Sequence, residues 1–152
     1  MGMRNHAAVT LLSALVLTLS ACGSATGEAS RAGAGASSPV IATSEEAKDY
    51  PLAEVSGLLE LREGCLVLGG DIVFWPYGAT WDEDGKAVVF EDAPQFEDAA
   101  SAQVGAVFTG GGGWYPADTD FGSWRGDEFA DPIDKCEEAT NIRDVVYAYP
   151  AT

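Results

Sequence analysis

Four aromatic side chains lie in a short segment whose composition is otherwise typical of a loop. The segment spans 110–124 and reads GGGGWYPADTDFGSW, which is rich in Gly, Pro and Asp. Aromatic residues on an exposed loop can stack on sugar rings or clamp a protein partner, and they can equally fold back over the end of a small β-barrel. The candidate ligand-binding residues are Trp114, Tyr115, Phe121 and Trp124, together with Tyr77 and Trp81, which lie near turns.

The histidine content of the chain limits the catalytic chemistry that it can perform. The only histidine, His6, lies in an N-terminal segment that we expect to be removed. Its loss would exclude Ser-His-Asp and Cys-His catalytic sites and histidine-ligated zinc or copper. A small hydrolase that uses two carboxylates is the enzymatic alternative, but such an enzyme needs a buried pocket that raises the pKa of one acid. We predict that the protein is not an enzyme and has no cofactor.

Two acidic clusters have some features of calcium sites. Asp82-Glu83-Asp84-Gly85 has its glycine at the fourth position, whereas an EF-hand loop needs glycine at the sixth, and the segment is better explained as a hairpin turn. The second cluster, on the 110–131 segment, offers Asp118, Asp120 and Asp127. A weak, extracellular type of Ca²⁺ site at these three residues is a further alternative.

The balance of charge is strongly acidic. The chain has 8 Lys and Arg against 24 Asp and Glu, and loss of Arg4 with the N-terminal segment would leave 7 against 24, a formal charge of −17. Such a surface repels nucleic acid and anionic headgroups. It suits cations, basic partners or simple solubility, and it makes an anion-binding role for the four consecutive glycines unfavourable. We predict no nucleic-acid partner.

The first 22 residues have the pattern of an export signal. A short basic start with Arg4 is followed by the apolar run 7–19 and then by Leu19-Ser20-Ala21-Cys22. The LSAC sequence resembles a bacterial lipobox, which implies a signal peptide at 1–21 and lipidation of Cys22. An ordinary signal peptide is the alternative. The Gly-, Ala- and Ser-rich residues that follow predict a flexible tether over 22–49. We therefore expect a domain lipid-anchored through Cys22 at the outer face of the cell membrane.

Cys65 and Cys136 are the two cysteines that would remain besides Cys22. Exported domains fold in an oxidising compartment, where two thiols usually pair. No CxxC motif indicates a redox function. A Cys65–Cys136 disulfide is therefore predicted, with two separate thiols as the alternative.

Most of the pattern within 50–152 is typical of short strands. Alternating and β-branched runs predict strands at 59–62, 65–68, 71–75, 79–81, 86–91, 103–109 and 144–149. Two short helices are predicted, at 94–102 and from Pro132 to about Asn141, the second with Asp131 as N-cap. Many short antiparallel strands with tight turns favour a mostly β domain, either a small OB-like barrel or a sandwich, with one or two short helices.

Several short motifs resemble those of small secreted lipoproteins from high-GC Gram-positive bacteria. They are Gly64-Cys65-Leu66, Trp75-Pro76 with Gly78, Gly110-Gly111 and the late Cys136. The resemblance implies a lipid-anchored β domain with one disulfide, and it implies no activity. From the residues and the resemblance together we expect a binding or interaction module outside the membrane, with a cell-wall glycan or a protein as its partner.

Overall fold

The computed structural model describes residues 38–151, which form short strands and two helices. The lipobox, Cys22 and the tether up to residue 37 lie outside the described residues. Within this range, no helix is long and apolar enough to cross a bilayer. The elements are β1 Ile41–Ala42, β2 Ala53–Arg62, β3 Cys65–Leu68, β4 Asp71–Trp75, β5 Thr80–Asp82, β6 Ala87–Val89, β7 Ala102–Gln103, β8 Val107–Tyr115, α1 Phe121–Arg125, α2 Asp127–Thr140 and β9 Val145–Pro150.

Five strands close into a barrel. The order is β4-β3-β2-β8-β9, and β9 returns to pair with β4. Every pairing in this ring is antiparallel except the closing β4–β9 pairing, which is parallel and sets Ile72 opposite Val145. Closure removes the exposed edges that an open sheet of this size would present. The predicted mostly β, OB-like barrel with short helices is confirmed.

The strands predicted at 59–62 and 65–68 are present and form a hairpin at the start of the barrel. Strand β2 pairs with β3 in the register Leu59↔Leu68 and Arg62↔Cys65, so two residues form the turn. These residues, Glu63 and Gly64, have φ angles of 49° and 81°. Positive φ at both positions is what a type I′ turn requires, and its twist matches that of the flanking strands.

A second, three-stranded sheet has the order β5-β6-β7. Its first hairpin is the one predicted at Asp82–Gly85. The Asp82 carboxylate accepts hydrogen bonds from the backbone N–H groups of Asp84 and Gly85, each at 3.1 Å. The Asp82 carboxylate therefore takes the place of backbone acceptors for the N–H groups of this turn, and it does not serve as a metal ligand.

The glycine run is a strand, so the prediction of a loop over 110–124 is wrong for its first half. Gly110 to Gly113 belong to β8 and pair with both β2 and β9. Gly111 lies opposite Tyr149, and a Cβ at Gly111 would lie 2.3 Å from the Tyr149 ring. The glycines therefore leave room for large side chains on the neighbouring strand, which composition alone did not indicate.

The two predicted helices have different outcomes. Helix α2 exists, but it begins at Asp127 and not after Asp131, so Pro132 lies inside it. The earlier start buries Phe129 on the same face as Ile133 and Cys136, which outweighs the backbone hydrogen bond that Pro132 cannot make. Asn141 ends the helix in the left-handed conformation, as its predicted end requires.

The helix predicted at 94–102 does not form. The segment runs instead through successive turns, in which Phe96 N–H donates to the Ala93 carbonyl and Ala99 N–H donates to the Phe96 carbonyl. Phe96 and Ala93 are buried in the core, while the intervening residues are exposed. A segment this short gains little from helix formation, so the packing of its two apolar residues decides its path.

Two apolar clusters fill the domain. The larger one contains Trp75, draws residues from all five barrel strands and extends to Val88 and Ala102 of the second sheet, whereas the smaller one contains Phe74 and the buried face of α2. Adjacent residues of β4 therefore point to opposite clusters, as strand alternation requires. The predicted Cys65–Cys136 disulfide is present and joins β3 to α2 beside the smaller cluster.

The folded domain begins before the boundary predicted at Tyr50. Strand β1 pairs in parallel with β4, setting Ile41 opposite Phe74, and Thr43 N–H donates to the Trp75 carbonyl at 3.0 Å. Val40 and Ile41 are buried. The last dozen residues of the predicted tether are therefore part of the fold, because Val40 and Ile41 supply apolar side chains to both clusters.

Candidate functional site

One cleft combines aromatic walls with polar groups that the protein leaves unpartnered. Its volume is about 290 Å³, and it lies between the 43–51 segment, the barrel and α1. We call it the aromatic cleft and define it by the lining residues Tyr50, Tyr115, Trp124, Arg125 and Tyr147. Small-molecule sites are typically concave and mostly apolar, with a few convergent polar groups, and this cleft has both properties.

A second cleft, of about 370 Å³, is a weaker candidate. It lies beside β7 and β8 and is lined by residues 100–103 and 106–109 with Pro150 and Ala151. None of these side chains is titratable. The second cleft therefore lacks the charged groups that would orient a ligand.

Tyr147 forms the floor of the aromatic cleft. It lies on β9, only 4% of its surface is exposed, and its ring stacks on Phe74 with centroids 4.7 Å apart. Its hydroxyl oxygen is buried and has no hydrogen-bond partner. Burial raises the pKa of Tyr147 strongly, with further contributions from the nearby Tyr50 and Tyr115 hydroxyls. The side chain therefore remains a neutral hydrogen-bond donor at any physiological pH.

Tyr50 lines the cleft on the chain segment that precedes β2. Its ring lies nearly parallel to that of Tyr147 at 6.2 Å and contacts Tyr149 edge-on at 5.1 Å. The Tyr149 hydroxyl donates to the Pro51 carbonyl and so holds this segment against the barrel. Burial raises the pKa of Tyr50, and the Glu46 carboxylate raises it further. The hydrogen bond from Tyr149 to the backbone of Pro51 therefore keeps Tyr50 in the wall of the cleft.

Helix α1 forms the wall of the aromatic cleft that lies opposite Tyr50. The Asp120 carboxylate caps the helix by accepting hydrogen bonds from the Ser123 backbone N–H at 2.8 Å and the Ser123 hydroxyl at 2.7 Å. These hydrogen bonds lower the pKa of Asp120, so the cap stays ionised. Gly126, with φ of 86°, ends α1 and begins α2. The short helix thereby fixes Trp124 and Arg125 at the cleft.

Arg125 is the cation of the site. Its guanidinium carbon lies 4.4 Å from the centroid of the Trp124 ring, a cation–π geometry, and its Nε is buried without a hydrogen-bond partner. The one ion pair among residues 38–151 joins Glu60 and Arg62, so Arg125 has no carboxylate partner within the described fold. In a chain with 24 acidic residues, an arginine that is held by an aromatic ring and left unpaired is available to a ligand.

Three of the six predicted aromatic residues come together at this site. Tyr115 lies 5.2 Å from Trp124 and 5.8 Å from Phe121, measured between ring centroids. Tyr115 and Trp124 face the cleft, and burial raises the pKa of the Tyr115 hydroxyl. Phe121 is buried beneath them in the smaller core cluster, so its predicted ligand contact is wrong and its role is to support the wall.

The other three predicted aromatic residues lie elsewhere. Trp114 neighbours Tyr115 on β8 and therefore points to the opposite face of the sheet, where it is 55% exposed. Trp81 belongs to the second sheet and packs on the larger cluster, while its Nε1 donates to Glu83 at 2.5 Å. Tyr77 lies in the turn before that sheet and does not line the cleft. These residues do not form one surface with Tyr115 and Trp124.

The acidic residues proposed for calcium are not grouped as ligands. Asp120 is the cap of α1, Asp127 is the first residue of α2, and Asp118 is exposed on the preceding turn. Among the described residues, no three or more His, Cys, Asp or Glu side chains are placed to hold one metal ion. The structure therefore offers the calcium alternative no ligand set.

The carboxylate pair that a hydrolase would need is found away from the cleft. Asp71 is the first residue of β4, Asp144 directly precedes the paired strand β9, and Ile72 N–H donates to the Asp144 carbonyl. Burial raises the pKa of Asp71, and the Asp144 carboxylate raises it further. Neither residue lines either of the two clefts.

Sequence reasoning missed Tyr50, Arg125 and Tyr147 as site residues. Tyr147 lies in the run DVVYAY, which is typical of a core strand. Tyr50 lies at the predicted boundary between the tether and the domain. The sequence did contain a signal for Arg125, because it is one of few cations and directly follows Trp124.

The chain matches no protein-family model, no curated protein and no solved structure.

Proposed function

We propose that the protein is a lipid-anchored domain at the outer face of the cell membrane, and that it binds its ligand in the aromatic cleft. The observation that carries the proposal is that two residues lining this cleft, Arg125 and Tyr147, each have a buried polar atom without a hydrogen-bond partner, the Arg125 Nε and the Tyr147 hydroxyl. Buried polar groups in folded proteins are almost always hydrogen-bonded. A ligand that satisfies both groups would recover the free energy lost by leaving them unpaired.

The proposed anchor rests on the chain's N-terminal sequence. The LSAC sequence at 19–22 is the feature that would direct lipidation to Cys22. The Cys65–Cys136 disulfide supports an oxidising compartment, since structural disulfides are rare in reducing ones. A cell-wall glycan or a protein exposed at the membrane surface would then be within reach of the cleft.

The proposal is for binding without catalysis. Among residues 38–151, Asp49 is the only carboxylate that lines the aromatic cleft, and it is exposed. General acid–base chemistry on two carboxylates needs a second acid in the same cleft. The tyrosines there have raised pKa values and are poor bases at neutral pH.

Two variants of the full chain separate the anchor from the cleft. Cys22→Ala should move the protein from the membrane fraction to the soluble fraction, which is obtained without detergent. Trp124→Ala should leave the protein in the membrane fraction and reduce its capture by cell-envelope material at least about tenfold, since aromatic anchors in binding sites are often worth more than about 2 kcal/mol.

The matched control is Trp114→Ala, which removes an equally large and similarly exposed ring from the opposite face of β8. It should leave capture unchanged. Equal loss of capture by both tryptophan variants would show that the cleft is not the binding surface. Membrane association that survives Cys22→Ala would contradict the lipid anchor.

A further inference from the structure

The ligand class follows from the chemistry of the aromatic cleft, on the assumption that the proposed function is right. We propose that the cleft recognises a pyranose ring that carries a carboxylate, as a free acidic sugar or as one unit of a glycan. Three features of the cleft carry this inference: its two ring surfaces, its unpaired arginine, and the hydroxyl and carboxylate groups around them.

The ring surfaces fit the apolar face of a sugar. The ring centroids of Tyr115 and Trp124 lie 5.2 Å apart with their planes inclined by 31°, so the two rings overlap in a tilted stack, and Trp124 remains 44% exposed. The C–H groups of a pyranose face pack on aromatic rings as other apolar groups do. The Phe121 ring behind both side chains, 6.1 Å from Trp124, keeps the surface in place before a ligand arrives.

The arginine fits a carboxylate. A guanidinium group binds a carboxylate through two parallel hydrogen bonds, and Arg125 has no competing carboxylate within ion-pair distance among the described residues. Its guanidinium carbon lies 4.4 Å from the centroid of the Trp124 ring, so the charged group covers part of this ring and a sugar would pack on the surface that remains next to it. A ligand would therefore place its charge at the edge of the ring that stacks.

The remaining polar groups fit hydroxyls. Tyr147 and Tyr50 offer neutral donors, because burial raises the pKa of both. Asp49 offers an acceptor at the rim, and a sugar hydroxyl can donate to it.

Size and charge restrict the ligand further. A cleft of about 290 Å³ is at the lower limit of small-molecule sites, which suits one ring and not an extended chain. The strongly acidic chain would repel a polyanion. One carboxylate on one ring is therefore compatible with the cleft, whereas a nucleic acid or a polyphosphate is not.

Matched sugar pairs test this inference with the full chain purified from membranes in detergent. Glucuronic acid differs from glucose in a carboxylate at C6, and N-acetylmuramic acid differs from N-acetylglucosamine in a lactyl ether at O3 that carries the carboxylate. Calorimetry or tryptophan fluorescence should give at least about tenfold tighter binding of the acidic member, since a hydrogen bond to a charged group is worth about 1.5–3 kcal/mol. Acetate alone should bind at least about tenfold more weakly than either acidic sugar.

Two side-chain variants locate the contacts. Arg125→Gln should remove the preference for the acidic member, whereas Arg143→Gln, an exposed arginine beyond α2, should keep it. Tyr147→Phe should weaken both members by a similar factor. Circular dichroism and the melting temperature of each variant separate loss of binding from loss of folding.

Each outcome decides a different statement. Equal binding of acidic and neutral sugars would overturn the role of Arg125 while leaving a glycan site in the cleft. Binding of a peptide with a free C-terminal carboxylate, and of none of the sugars, would overturn the ligand class. Absence of sugar binding in a protein that still captures envelope material through Trp124 would overturn this inference alone, and absence of both would overturn the proposed function as well.

Discussion

The ring of Tyr147 stacks on the ring of Phe74 at 4.7 Å, and its hydroxyl ends inside the protein without a partner. The neighbouring Tyr149 differs in this one respect, because its hydroxyl donates to the Pro51 carbonyl. Two tyrosines on one strand therefore form a matched pair, in which one hydroxyl is unsatisfied and the other holds a chain segment.

This pair gives opposite expectations for the loss of a hydroxyl. Tyr147→Phe removes a buried polar atom that the fold does not satisfy, so we expect the free energy of unfolding to stay the same or to rise by about 1 kcal/mol. Tyr149→Phe removes a hydrogen bond and should lower it by about 0.5–1.5 kcal/mol. Urea denaturation of the ligand-free protein measures both, and a larger loss for Tyr147→Phe would contradict the assignment.

The raised pKa of Tyr147 predicts how stability depends on pH. Below pH 10 the group is protonated in the folded and unfolded chains alike, so its stabilising contribution is fully present. Above pH 10 the unfolded chain ionises while the folded one does not. The free energy of unfolding should therefore fall with rising pH, by about 1.4 kcal/mol for each further pH unit while the folded group stays protonated.

Denaturation at several pH values between 8 and 11, together with the tyrosinate absorbance of the native protein, checks this expectation. Tyr50 and Tyr115 also have raised pKa values and should add to the slope. Tyr147→Phe should reduce the slope without abolishing it. An unchanged slope in this variant would show that Tyr147 ionises normally in the folded state.

The glycine run can be tested at the position opposite Tyr149. A Cβ at Gly111 would lie 2.3 Å from the Tyr149 ring, so Gly111→Ala must displace that ring and the segment that it holds. We expect destabilisation by about 1–3 kcal/mol, the usual range for overpacking. Gly122→Ala is the matched control, because its Cβ would have no neighbour closer than 3.5 Å and would lie within α1. The control should be neutral or stabilising by up to about 1 kcal/mol, and destabilisation of both variants to the same extent would contradict the argument from space.

The disulfide should contribute a large part of the stability. It closes a loop of 71 residues between β3 and α2, for which chain entropy predicts about 4 kcal/mol. Denaturation with and without a thiol reductant measures the difference, and the double variant Cys65→Ala with Cys136→Ala should behave like the reduced protein. Cys22→Ala should show the full effect of the reductant, and a loss below about 1 kcal/mol on reduction would contradict the expectation.

The fold was more predictable from the sequence than the site. The hairpin at Glu63-Gly64, the turn at Asp82 and the strand after Gly70 follow from local signals, namely turn residues that bound β-branched runs. The glycine strand could not be predicted in this way, because its composition is decided by side chains on β9 that are more than 30 residues away in sequence. Local composition favours a loop there, and only the tertiary neighbours overrule it.

The start of α2 and the loss of the 94–102 helix have a similar cause. Asp131-Pro132 is a good helix start by local rules. Burial of Phe129 against Phe74 stabilises an earlier helical turn, so the helix begins at Asp127. The candidate site depends even more on distant contacts. Tyr50, Trp124 and Tyr147 come from three separate parts of the chain, so no spacing within the sequence could have shown that they share one cleft.

The position of β1 has a mechanical consequence. The chain enters the fold through two residues that pair in parallel with β4, and the segment that follows them carries Tyr50 and Pro51 into the wall of the aromatic cleft. A force applied to the chain on the N-terminal side of β1 would act first on the β1–β4 pairing, then on this segment, and only afterwards on the strands of the closed barrel. Tension along the chain would therefore distort the cleft while the strands of the barrel were still paired.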